Sequence, residues 1–322
     1  MSKINFLWQD HSAYDDTTAT EVAKLNPDKF IMNIDGPGSD YWMLTNPQCG
    51  PSITQLTQFV TTLQKKGFTG TLVMHPDATK SDYEHDWNGK GNLPTRDVSE
   101  AWKTYCDYFI EINKALSKQV LPIFHELLIE TESSYIPRTS TSFDEIKQYL
   151  PKGILVSTTG DWNGDRVNLH VDCFYPQLYD MAYVDKSLAG ENPPSDSRAD
   201  FLARHIVNII KDKPAMLNDP NVFFTFSYCF NDADAPVFGQ VPRVWPQKEF
   251  YYFLDEFRKN LKPYTNEAIN TGVWHSSVLT SAWKFTKSIV KGKMPNKHKI
   301  IWWLIIAGIV ILNCVLAAKY LV

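Results

Sequence analysis

Eight short runs rich in β-branched and aromatic residues recur along the 322-residue chain, and longer stretches with apolar residues at helical spacing separate most of them. The runs are INFLWQ (4–9), KFIMNID (29–35), GTLVMHP (70–76), VLPIFHE (120–126), GILVSTT (153–159), DCFYPQLYD (172–180), VFFTFSYCF (222–230) and NTGVWHS (270–276). Helical patterns cover 19–26, 52–67, 99–118, 142–153, 198–213, 246–262 and 277–290. Strand and helix alternating eight times predict a parallel sheet closed on itself, the (β/α)8 or TIM barrel. The link GDWNGDRVNLHV between the fifth and sixth runs is too short and glycine-rich for a full helix, so the repeat is expected to depart from the ideal there. An open doubly wound sheet is the rival. It would usually carry a glycine-rich phosphate turn after its first strand, and WQDHSAYDD has none.

Charge divides the chain. Residues 1–283, the predicted barrel, hold 25 basic and 36 acidic residues, a net charge of −11, whereas seven lysines and no acids follow from Lys284 onward. An acidic head argues against nucleic acid as a partner, since neutralising phosphates needs clustered Lys and Arg. The basic segment 284–299 leads into IIWWLIIAGIVILNCVLAA (300–318), apolar except for Asn313. That length crosses a hydrocarbon core of about 30 Å as a helix. Trp302 and Trp303 at its entry suit the interface, and the lysines before it place residues 1–299 on the cytosolic side. The expectation is a single-pass C-terminal anchor in a lipid bilayer. A buried C-terminal helix is the alternative, but it would show a polar stripe. The N-terminus, MSKINFLWQD, passes straight into a strand-like run without a long apolar signal core. The five cysteines are scattered, odd in number and without metal-type spacing, which favours free thiols in a reducing compartment.

In a parallel barrel all strands end at one mouth, and the chemistry gathers there. The residues expected at that rim include Asp10, His11, Asp35, His75, Asp77, His125, Glu126, Asp161, Trp162, Tyr179, Asp180, Tyr228, Asn231, Trp274 and His275, with Trp42 in the loop after the second strand. Aromatic faces stack on sugar rings, and carboxylates hold hydroxyls or protonate a glycosidic oxygen, so the set suits a carbohydrate. A carboxylic acid surrounded by aromatics and other acids has its pKa pushed upward, as a general acid requires. Glu126 is the candidate acid, with Asp35, Asp77, His75 and Trp42 as candidate ligand contacts.

Two short motifs carry a family resemblance. YPQLYDMAY (175–183) is similar to the sixth barrel strand of the chitinase-like family-18 glycoside hydrolases, and GVWHSS (272–277) to the last strand of the same family. The resemblance implies that Gln177 and Tyr179 point into a sugar site and that Asp180 helps hold an acetamido group or its oxazolinium intermediate. It implies that Trp274 forms the floor under the sugar. The family's fourth strand reads Asp-x-x-Asp-x-Asp-x-Glu with the final Glu as acid. This chain reads VLPIFHELLIETE, where no aspartate precedes Glu126, Glu130 or Glu132 at that spacing.

Other chemistries are weaker. His75, Asp77, His125, Glu126 and His275 could surround a metal, but no HxH pair or HExxH motif supports one, and neither metal nor cofactor is expected. No GxSxG occurs, and Cys173 and Cys229 sit in apolar runs where small buried thiols are usual. Two readings remain: a membrane-tethered barrel that binds, with or without hydrolysing, an N-acetylglucosamine-containing glycan, or a barrel without catalysis that serves as an interaction or structural module on a membrane surface, such as a virion protein or effector.

Overall fold

The computed structural model describes residues 4–9, 14–34, 52–75, 98–129, 140–160, 166–178, 198–227 and 247–274. Its elements run β1 (Phe6–Gln9), α1 (Asp16–Leu25), β2 (Lys29–Asn33), α2 (Ile53–Lys65), β3 (Thr71–His75), α3 (Val98–Lys118), β4 (Phe124–Ile129), α4 (Ser140–Tyr149), β5 (Leu155–Gly160), α5 (Arg166–Leu169), β6 (Cys173–Pro176), α6 (Arg198–Ile210), α7 (Pro214–Leu217), β7 (Phe223–Ser227), α8 (Gln247–Leu261) and β8 (Asn270–Trp274). The order β6-β5-β4-β3-β2-β1-β8-β7 is parallel throughout. Bridges Phe174↔Val222 and Gln177↔Thr225 bring the two ends together. The chain folds as a (β/α)8 barrel. In its described residues, the short link expected between the fifth and sixth strands holds the single turn α5. The helical pattern at 277–290 and the apolar segment 300–318 lie outside the described residues. Among those that are described, no helix is long and apolar enough to cross a membrane.

Local chemistry sets the helix ends. Asp15 caps α1 by accepting from the Thr18 amide at 2.7 Å, and Asn26 ends that helix in the left-handed region at φ 42°. Ser52 and Gln55 form a reciprocal capping box at the start of α2. The outward strand faces pack on the helices: Phe226 meets Phe253 and Phe257 of α8 edge-on, and Phe30 meets Phe59 of α2. A separate cluster, Phe6, Trp8, Ile31, Val73, Leu128, Cys173, Tyr175 and Phe223, fills the barrel itself. Gly272 makes room for it, because a Cβ there would come within 2.2 Å of the Phe6 ring.

The fourth strand departs from expectation. Helix α3 ends in a turn through Val120, which has φ 56°, and the strand begins only after Pro122, at Phe124, and runs on to Ile129. The pairing with β3 steps from Leu72↔Phe124 to Val73↔Glu126, so His125 is the extra residue of a bulge. Phe124 therefore faces outward to Phe109 of α3, His125 is exposed, and Glu126 turns into the barrel. The side-chain amide of Asn113 exchanges two 2.8 Å hydrogen bonds with the Phe124 backbone, pinning the start of this strand to α3.

Candidate functional site

Inside the barrel the inward side chains form two levels. The lower is polar. Lys29, the first residue of β2, places Nζ 2.6 Å from Glu126 Oε2, 3.0 Å from the Tyr175 hydroxyl and 3.4 Å from Cys173 Sγ. Ser157 donates to Glu126 Oε1 at 2.5 Å, and the Tyr175 hydroxyl donates to the same oxygen at 2.7 Å. The Phe223 ring lies 4.1 Å from Nζ, a cation–π contact, and stacks on Tyr175 at 5.1 Å. First residues of β2, β6 and β7 meet third residues of β4, β5 and β6 because staggered register and strand tilt bring them level. Glu126 has no exposed surface, and the Lys29 side chain retains 14%. Burial first, and the Glu126 charge second, push the Cys173 thiol up to about 11 against the contrary pull of Lys29. The same two causes hold the Tyr175 phenol well above its ordinary range.

The upper level lies nearer the mouth. Trp8 and His75 meet edge to face at 4.7 Å, His75 being the last residue of β3 and almost fully buried. Thr159 shares the inward face of β5 with Ser157, and its hydroxyl has no hydrogen-bond partner among the described residues. Gln177 follows β6, is buried, and its backbone N–H donates to the Gly160 carbonyl at 2.9 Å. Trp274 closes β8 opposite Ser227.

The expected site is thus divided. His75 and Trp274 stand at strand ends as expected, and Gln177 lies just past the end of β6 where the sequence pattern predicts a strand running on to Asp180, whereas Glu126 is corrected to an interior position three residues before the end of its strand, bonded to a lysine. His125 and Glu126 point to opposite sides of the barrel wall, which removes the metal grouping that joined them. Among the described residues, no cluster of three or more His, Cys, Asp or Glu could hold a metal ion. Asp10, His11, Asp35, Trp42, Asp77, Asp161, Trp162, Tyr179, Asp180, Tyr228, Asn231 and His275 lie outside the described residues. Sequence reasoning missed the Lys29, Ser157 and Tyr175 partners of Glu126. A signal was present: Lys29 opens a run in which Ile31 shares its face, so strand alternation sends the lysine into the barrel along with the isoleucine.

No protein-family profile matches this chain. No curated protein matches it either. Among solved structures, it is similar to a family-18 chitinase from Pseudoalteromonas aurantia at 12% identity and TM-score 0.44, covering 89% of this chain and 99% of that one. It is similar to a xylanase and α-amylase inhibitor protein from Scadoxus multiflorus at 12% identity and TM-score 0.45, covering 91% and 100%. A family-39 glycoside hydrolase from Bacteroides cellulosilyticus matches at 12% identity and TM-score 0.43, covering 84% of this chain and 55% of that one. Solved structures similar to this chain therefore include glycoside hydrolases and inhibitor proteins, while the barrel assignment rests on the strand pairing.

Proposed function

We propose that the chain is a membrane-tethered barrel that binds a carbohydrate at its mouth and does not use Glu126 as a catalytic acid. One observation carries the second half: the Glu126 carboxylate is fully buried in the lower barrel, with Lys29 on one oxygen and Ser157 and Tyr175 on the other. A general acid must reach the leaving oxygen of its substrate, and this carboxyl is fully buried, three residues before the end of its strand, and already accepts from three donors. This favours the interaction module over the hydrolase. The carbohydrate reading is supported by the aromatic and acidic residues that follow the strand-like runs in the sequence and by the two motifs around Gln177 and Trp274. The tether reading is supported by the apolar span 300–318 behind its lysine-rich flank, and places the barrel on the cytosolic side of a single-pass anchor.

The test uses the full chain in detergent micelles with N-acetylglucosamine oligomers, reading binding by calorimetry and turnover with a fluorogenic oligomer. Binding without turnover, weakened by Gln177→Ala or Trp274→Ala, is the expected result. Turnover above buffer would refute the non-catalytic reading, and if Glu126→Gln left it intact the acid would have to be sought elsewhere at the mouth, Asp180 first. Deleting residues 300–322 is expected to release the protein from pelleted membranes.

A further inference from the structure

Among the described residues the barrel wall is continuous except at one seam. Seven neighbouring strand pairs share ladders of two or more consecutive partners, but the described parts of β6 and β7 meet only at two isolated bridges. The cause is a single residue. Along a strand, alternate N–H groups face the same neighbour, and on the β7 side of β6 those positions are 174, 176 and 178. The Phe174 amide donates to the Asn221 carbonyl at 3.0 Å and the Leu178 amide to the Thr225 carbonyl at 2.9 Å. Between them stands Pro176, which has no N–H to give. By the same spacing the acceptor it leaves is the Phe223 carbonyl, and the Thr225 hydroxyl bonds that oxygen instead, at a long 3.3 Å. Proline is normally kept to edge strands, so its place here turns an interior strand of the barrel into one with an edge-like side.

We propose that the barrel opens sideways along the β6–β7 seam while its other seams stay paired, making β6 a stave that swings and carries Gln177 at its upper end. Opening separates the stacked Tyr175 and Phe223 rings and admits water to Cys173 and the Lys29–Glu126 pair. This goes beyond the carbohydrate reading and does not depend on what the mouth binds.

Two buried cysteines report on it. Cys173 stands at the seam, whereas Cys106, equally buried, lies on α3 against the Ile146 carbonyl of α4. The native full chain is treated with N-ethylmaleimide without denaturant, and modification is followed at each cysteine by peptide mass spectrometry. Cys173 is expected to react at least ~10-fold faster than Cys106, because a sub-global opening is more populated than global unfolding. Hydrogen exchange at the Phe174 and Leu178 amides is expected to outpace that at Phe30 and Ile31 in the β1–β2–β3 wall. Pro176→Ala restores the missing donor and should slow Cys173 modification; Thr225→Val removes the substitute bond and should speed it. Equal modification rates for the two cysteines, together with seam amides as protected as those of β2, would overturn the proposal from the wild-type protein alone, whichever variants fold.

Discussion

The two levels of the barrel interior differ in how completely their polar groups are paired. At the lower level a carboxylate, an ammonium, two hydroxyls and a thiol bond to one another in a sealed space. At the upper level Thr159 is buried with its hydroxyl unpartnered among the described residues. The lower level binds its polar groups to one another, and the upper level keeps one buried hydroxyl, that of Thr159, outside any such bond among the described residues. The first arrangement is vulnerable to loss of any member, because a buried charge left alone is costly; the second tolerates change.

The sharpest way to break that contrast is Glu126→Ala. It strands the Lys29 ammonium, and the protein should lose about 3–5 kcal/mol of stability in a urea unfolding curve. The double variant Lys29→Met with Glu126→Leu removes both charges and should recover most of that loss; if it is no better than the single variant, packing rather than charge dominates the lower level. Ser157→Ala deletes one bond to a charged acceptor and should cost about 1.5–3 kcal/mol. Alkaline titration comes next. Because the folded Cys173 pKa is raised from 9.0 to about 11, its contribution is fully present below pH 9 and is lost as the pH rises toward 11. Stability should fall in that window by on the order of 2 kcal/mol more in the wild type than in Cys173→Ala, read from unfolding midpoints at each pH. The smallest effect belongs to the upper level: Thr159→Val should change stability by less than about 1 kcal/mol, or raise it, since the hydroxyl it removes has no described partner.

These levels also mark where the sequence could be read and where it could not. Strand count, order and the eightfold alternation follow from periodicity, because strands buried on both faces are apolar along their length and stand out between helical stretches. The fourth strand slipped because VLPIFHELLI is apolar on both sides of Pro122, and pattern alone does not say on which side of the proline pairing begins. Proline there argues for the later start, with Val120 left in the turn. The bulge at His125 adds a further uncertainty, since a one-residue change of register exchanges the barrel interior for the outer face. Strand alternation marks Lys29 as an inward residue, but its partners were not legible, because the members of the polar cluster come from four strands spread over residues 29–175 and only the barrel's stagger brings them together. At the mouth, the ends of β3 and β8 were legible at His75 and Trp274 to within a residue or two, whereas the sixth run reads on to Asp180 and the described β6 stops at Pro176, which breaks the ladder before Gln177.

The join between β1 and β8 has a consequence for how the protein is made. Asn5 accepts from the Thr271 amide at 3.1 Å, Arg258 reaches both Asn5 and Thr271, and Phe6 needs the bare backbone of Gly272 beside it. The first strand of the barrel is thus paired on one side only with residues made more than 260 positions later. Until β8 is made, β1 and its neighbours present a raw hydrogen-bonding edge beneath an unfilled aromatic core, the condition under which nascent chains pair with the wrong neighbour. The chain's yield in a cell depends on how long that edge waits for its last strand.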